Sequence, residues 1–142
     1  MSAEPESGDP VDSEIDWDLL RAEANRVASL AYAPYSKFNV GAAALTDDGR
    51  IISGCNVENV SYGLTLCAEC SLVAALHSGG GGRLVAVVVV SGSGRPCPPC
   101  GRCRQLLLEH GGAECLVDGD GSIRTVADLL PGGFEPTRLA EG

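Results

Sequence analysis

Two cysteine segments, Cys67-Ala68-Glu69-Cys70 and Pro99-Cys100-Gly101-Arg102-Cys103, constrain the fold of this chain more than any other feature. If their thiols serve one metal ion, the fold must carry two distant stretches to a single point. That is feasible if each segment opens a helix, because Cys100 and Cys103, spaced i, i+3, then share one face. A helix N-terminus also favours thiolate over thiol, which lowers the cost of gathering negative sulfurs. Three thiols are the donor set of a catalytic zinc, which keeps a fourth position open for water. Glu69, two residues past Cys67, would stand beside such a metal without binding it.

Spacing alone leaves other readings open. Cys70 turns the first segment into C-x₂-C, so the chain also shows the double C-x₂-C pattern of a structural Cys₄ zinc site. Cys97-Pro98-Pro99-Cys100 resembles a redox dithiol placed just after an apolar run.

Composition narrows the field. A chain of 142 residues fits one domain with a modest core. Its seven cysteines would suit a small secreted scaffold. The first sixteen residues, however, are acidic and Pro/Ser-rich, without the basic and apolar regions of a signal peptide. The expectation is a disordered acidic tail over 1–15, a folded domain over 16–135 and a C-terminal tail over 136–142. The longest apolar run, 84–90, is too short to cross a bilayer. A cytoplasmic protein with reduced thiols and no membrane partner is therefore expected. A net charge of −9 argues against nucleic acid as a partner and is compatible with a small neutral ligand.

The periodicity is that of an α/β domain. Trp17, Leu20, Ala24, Val27, Ala28 and Ala31 form a helical stripe, with Ser13 or Asp16 as N-cap and Pro34 as the stop. Segments 38–45 and 51–57 read as strands around Asp47-Asp48-Gly49-Arg50, apolar on both faces as in a sheet covered on both sides. Segment 66–77 reads as a helix, 84–90 as a buried central strand and 100–110 as a helix stopped by Gly111-Gly112. Two short strands around 115–117 and 123–126, a helix near 127–130 and a loop carrying Phe134 complete the pattern. The order predicts a three-layer α-β-α sandwich with a mixed five-stranded sheet, both cysteine segments opening helices at one sheet edge. Cys55 and Cys115 read as small buried hydrophobes, His77 and His110 as helix-end caps, and Cys97 as a loop thiol without a role.

Four motifs in order then resemble the small homotetrameric cytidine deaminases. They are Tyr35-Ser36-Lys37-Phe38-Asn39-Val40-Gly41-Ala42-Ala43, Gly54-Cys55-Asn56-Val57-Glu58-Asn59, Tyr62-Gly63-Leu64-Thr65-Leu66-Cys67-Ala68-Glu69 and Pro99-Cys100-Gly101-Arg102-Cys103-Arg104-Gln105. The resemblance runs from about Trp17 to Phe134 and favours catalysis over a structural zinc. It implies that Cys67, Cys100 and Cys103 hold one Zn²⁺ per subunit. It implies a hydroxide attacking C4 of cytosine while Glu69 protonates N3 and then the departing ammonia, a mechanism carried over from zinc deaminases as a class. It further implies that Asn56 and Glu58 hold the ribose, that Phe38 and Ala68 line the base site, and that Tyr62 and Phe134 reach a neighbouring subunit's site in a homotetramer. The implied reaction is deamination of cytidine and 2′-deoxycytidine in pyrimidine salvage. The alternatives are a deaminase of another cytosine-containing small molecule, of the blasticidin S type, or a non-enzymatic Cys₄ zinc module.

One position departs from the family pattern. Many relatives have Arg after Cys-Ala-Glu, and this chain has Cys70. Three thiolates leave Zn²⁺ with a net negative charge, and a thiol is a weak donor to offset it. The expectation is that Cys70 is a neutral neighbour of the site and that Arg104 carries much of the charge compensation.

Overall fold

The computed structural model describes residues 15–141. Helix α1 (Trp17–Ala28) begins where Asp16 caps it, its carboxylate accepting the Leu19 N–H at 3.1 Å. The other candidate cap, Ser13, lies outside the described residues, as does all of the acidic tail but its last position. The helix buries Leu20, Ala24, Val27 and Ala28 and stops there, short of Ala31. Side chains and a strand-like pairing take over at that point. Asn39 Nδ2 donates to the Ala28 carbonyl at 3.1 Å, and Ser29 Oγ donates to that of Arg26 at 2.6 Å. Tyr32 pairs with the stretch after β2 instead, its N–H going to Asn56 O and its carbonyl receiving the Glu58 N–H.

Strands β1 (Val40–Thr46) and β2 (Ile51–Cys55) are antiparallel around a turn whose Gly49 has φ +89°, where a side chain would be strained. Strand β3 (Leu84–Ser91) pairs antiparallel with the other edge of β1. Strand β4 (Leu116–Asp118) lies parallel to β3, and β5 (Ile123–Thr125) closes the sheet antiparallel, in the order β2-β1-β3-β4-β5. Helix α2 (Ala68–Ser78) joins β2 to β3, and α3 (Gly101–Gly111) makes the crossover that the parallel β3–β4 pair requires. A capping box of Thr125 and Asp128 opens α4 (Val126–Leu129). A short helix, α5 (Thr137–Glu141), occupies what the sequence reads as a tail.

The expected mixed five-stranded sheet between helices is what forms. Strand alternation divides the interior into two cores. Ala43, Ala86, Val88 and Val90 face α1, whereas Ala42, Ala44, Val87 and Val89 face Leu72, Leu76 and Leu107 of α2 and α3. β1 and β3 are covered on both faces, but β2 is an edge strand with partial exposure along its length, contrary to the reading of 51–57 as doubly covered.

Close approach of the helices depends on two glycines. A Cβ on Gly41 would lie 2.1 Å from the Ala24 carbonyl oxygen, and one on Gly54 would lie 2.5 Å from the Leu72 nitrogen. Gly41→Ala is expected to cost roughly 1–3 kcal/mol of stability by overpacking against backbone. Gly63→Ala, which meets nothing within 4 Å, should stay within about 0.5 kcal/mol. Urea unfolding checks both, and equal midpoints would refute the close-packed layer.

Candidate metal centre and active-site cavity

Cys67 and Cys100 are the N-cap residues of α2 and α3, both extended, and neither side chain caps its own helix. Both sulfurs are thereby left free to face outward from the helix starts. Leu66, read as the first residue of α2, instead pairs with Val57, which places the cap at Cys67. Cys103, one turn into α3, is completely buried. The sulfurs of Cys67, Cys100 and Cys103 all lie within 4.8 Å of one another. Three sulfurs around one tetrahedral zinc sit about 3.8 Å apart at a Zn–S distance near 2.3 Å, so small side-chain adjustments close the site.

The site lies at the end of the central strand pair, where β1 begins and β3 ends. α2 packs on β2 and β1 while α3 packs toward β3, so their N-termini meet over the middle.

Cys70 stands outside the sulfur cluster. It occupies the same place in α2 that Cys103 does in α3, but it is only half-buried and its N–H is bonded to the Cys67 carbonyl. The fourth sulfur of a Cys₄ site is thus missing from the group. Of the Cys97 and Cys100 pair, only Cys100 belongs to the sulfur cluster, and both are free thiols in the wall of one cavity.

Electrostatics fit a cation. Burial pushes the Cys67 thiol up to about 11 and raises that of Cys103 further, the Glu69 carboxylate adding to both. Burial also pushes Cys100 up, but hydrogen bonds from Cys103 and Cys67 outweigh it and leave that thiol below its ordinary value. Cys67 and Cys103 therefore keep their protons at neutral pH unless a metal ion replaces them. A set of three soft donors suits zinc.

Glu69, in the first turn of α2, is only 3% exposed, and burial raises its pKa. It lines a cavity of about 390 Å³ together with Cys67, Cys100, Ala68, Phe38, Asn56 and Glu58. Ser36, Val40, Thr65, Val89, Cys97 and Pro98 complete the wall, and none of the lining residues is cationic. Among the described residues, no other surface hollow, such as one of about 220 Å³ beside Asp47 and Arg83, holds a metal-binding cluster.

Asn56 and Glu58 are both engaged with the loop that carries Phe38. Asn56 Oδ1 accepts the Val40 N–H and its Nδ2 donates to the Phe38 carbonyl, both at 2.9 Å. Glu58 Oε1 accepts the N–H groups of Tyr35 and Ser36, and Oε2 accepts the Ser36 hydroxyl. The Ser36 hydroxyl is the leading cause that holds the Glu58 carboxyl below its usual range.

Tyr62 and Phe134 do not reach this cavity. Tyr62 is 76% exposed with its ring edge-on to Tyr35, and Phe134 is 58% exposed with its backbone clasping the Gln105 amide. Arg104 makes its hydrogen bonds away from the sulfurs. Its Nε donates to Pro99 O and its Nη1 to Leu129 O, both at 2.9 Å, so it ties the loop before Cys100 to α4 and not to a sulfur. His77 and His110 meet each other, Nε2 to Nδ1 at 3.1 Å, where the ends of α2 and α3 converge. Cys115 is buried as expected, but Cys55 only partly so. Ser36 and Thr65 lie inside the motifs quoted from the sequence, whereas nothing local marks Cys97 as part of the cavity wall.

A family model described as the cytidine and deoxycytidylate deaminase zinc-binding region matches residues 16–118. The chain is 62% identical over 121 residues to the cytidine deaminase of Mycobacterium tuberculosis, covering 85% of this chain and 91% of that protein. It is 46% identical over 125 residues to the cytidine deaminase of Halalkalibacterium halodurans, covering 84% and 95%. The crystal structure of the M. tuberculosis cytidine deaminase matches with a TM-score of 0.83 over 85% of this chain and 98% of that one, at 62% identity. That of the Mycobacterium leprae cytidine deaminase matches with a TM-score of 0.82 over 83% and 99%, at 54% identity.

Two predictions follow from the sulfur geometry. Cys70→Ala is expected to retain one zinc per chain by elemental analysis, whereas Cys103→Ala should lose it; metal loss in Cys70→Ala would make Cys70 a ligand. The raised Cys67 pKa also sets a pH dependence. The unfolded chain ionises this thiol near its ordinary 9.0 and the metal-free folded chain only near 11. Stability of the metal-free protein is therefore intact below about pH 9 and falls as pH rises toward 11. Zinc-loaded protein should escape that fall, as thermal unfolding with and without a chelator will show.

Proposed function

Because this chain belongs to the cytidine and deoxycytidylate deaminase family, we propose that it is a zinc-dependent cytidine deaminase, hydrolysing cytidine and 2′-deoxycytidine to uridine and 2′-deoxyuridine with release of ammonia. The observation that carries this reading is the meeting of three sulfurs at a cavity whose wall includes two of them, Cys67 and Cys100, and the buried Glu69 carboxyl. Cys67, Cys100 and Cys103 hold the zinc. Once bound there, zinc supplies a Lewis acid that makes water nucleophilic at neutral pH.

Glu69 moves the protons. Its carboxylate takes one proton from water and gives it to N3 of the cytosine ring. It then takes the remaining proton from the hydroxyl added at C4 and passes it to the amino nitrogen, which leaves as ammonia while the C4 carbonyl forms. A raised pKa suits this work, because a group that shuttles protons at neutral pH does best with its pKa near that pH. Glu58, held ionised by the Ser36 hydroxyl and two backbone N–H groups, is an acceptor for a sugar hydroxyl. Asn56 acts beside it and fixes the backbone on either side of Asn39. Phe38 and Ala68 wall the base. A free nucleoside suits this cavity better than a nucleotide, since its wall offers carboxylates and no cation to a phosphate.

Assembly as a homotetramer with shared active sites is supported by a run of exposed apolar side chains. Val57, Val60, Tyr62, Leu64 and Leu66 lie in one stretch of chain with Tyr32 and Tyr35 beside it, and Phe134 is exposed as well. Tyr62 and Phe134 would then enter a neighbour's cavity. Among the described residues no helix is long and apolar enough to cross a membrane. A reducing cytoplasmic setting keeps the zinc thiols competent, and recovery of free nucleosides places the reaction in pyrimidine salvage.

Glu69→Gln should retain zinc and lower kcat by about 10²–10⁴-fold, the range for loss of a positioned acid–base group. Full activity in that variant would sink the mechanism. Purified protein should convert cytidine, followed by absorbance, and leave CMP essentially unchanged. Preferential turnover of blasticidin S would transfer the assignment to that substrate.

A further inference from the structure

The loop that carries Phe38 has little packing to hold it. Phe38 itself is 54% exposed, and Lys37 sits at φ +62°, a left-handed conformation that residues with a Cβ avoid. Such a conformation persists only where its surroundings over-determine it. Here hydrogen bonds do so. Lys37 N–H donates to the Ala33 carbonyl at 3.0 Å, and Glu58 Oε1 takes the Tyr35 and Ser36 N–H groups at 3.0 and 3.1 Å. One side-chain hydroxyl joins the two ends of this arrangement. Ser36 Oγ donates to Glu58 Oε2 and accepts the Phe38 N–H at 3.0 Å. A hydroxyl has one proton to give and lone pairs to receive, so a single serine can serve both partners at once.

We propose that Ser36 is a positioning residue for substrate recognition, its hydroxyl coupling the Glu58 carboxylate to the backbone that places the Phe38 ring. Removing the hydroxyl frees one Glu58 oxygen to rotate away and leaves the Phe38 N–H without its partner. Both effects fall on binding of the nucleoside. Neither touches Glu69 or the three cysteines, which stand on α2 and α3.

The inference rests on the cytidine deaminase reading, and its test separates the two. Ser36→Ala should raise KM for cytidine by about 10-fold or more, the loss associated with a hydrogen bond to a charged group. Its kcat should stay within about 2-fold and its zinc content unchanged. Ser36→Thr, which keeps the hydroxyl, should restore KM. In a Glu58→Ala background, Ser36→Ala should add little, because coupled partners are not additive. The proposal is overturned if Ser36→Ala leaves KM unchanged while Glu58→Ala raises it. It is equally overturned if kcat and zinc fall together, or if Ser36→Ala and Glu58→Ala multiply independently. An unchanged KM in Glu58→Ala would instead remove the sugar-binding role of Glu58.

Discussion

Everything at the site depends on bringing the N-termini of two helices together over the centre of a sheet. Sulfurs at helix N-caps are free of capping duty in this molecule and stand where the backbone N–H groups are unpaired and the local potential is positive. That potential partly offsets three negative sulfurs, but burial works against it, as the raised thiols of Cys67 and Cys103 show. A divalent cation resolves the conflict, since it replaces protons that the buried sulfurs otherwise retain. The close packing behind the site serves the same end. Gly54 lets α2 descend onto β2, and the small side chains of β1 let helices approach from both faces.

A second polar framework surrounds the first. Asn56, Glu58 and Ser36 each bond to the stretch between Tyr35 and Val40, so residues that face the cavity also hold its wall. This dual use has a physical logic. A carboxylate kept ionised and oriented by three hydrogen bonds loses little freedom when it meets a ligand, which is the advantage of a preorganised site. Arg104 plays a comparable part on the opposite side, anchoring Pro99 and hence the approach to Cys100. Replacement of the family's usual arginine by Cys70 therefore has no direct substitute in Arg104. The two helix N-termini supply a fixed positive field at the sulfurs.

The helices that share the metal site at their beginnings also meet at their ends, through His77 and His110. In sequence the two histidines show only as separate helix-end caps, because residues in different helices carry no local sign of their pairing. The same blindness explains other departures. α1 ends early because Asn39, eleven positions beyond Ala28, competes for its last carbonyl. Cys97 enters the cavity wall because its N–H pairs with Val89 on β3.

What the sequence determined by itself is local and periodic. Apolar spacing defined α1 to α3 and the strands, turn residues such as Gly49 marked the hairpin, and the cysteine spacing named the metal-binding segments. Motif order added the family and the candidate site residues around Glu69. Tertiary structure alone decided which sulfurs join. Cys70 and Cys103 occupy equivalent places in their helices, yet only Cys103 turns into the shared interior. That choice depends on how two helices seat against a common sheet, a long-range packing outcome with no counterpart in the spacing of either segment.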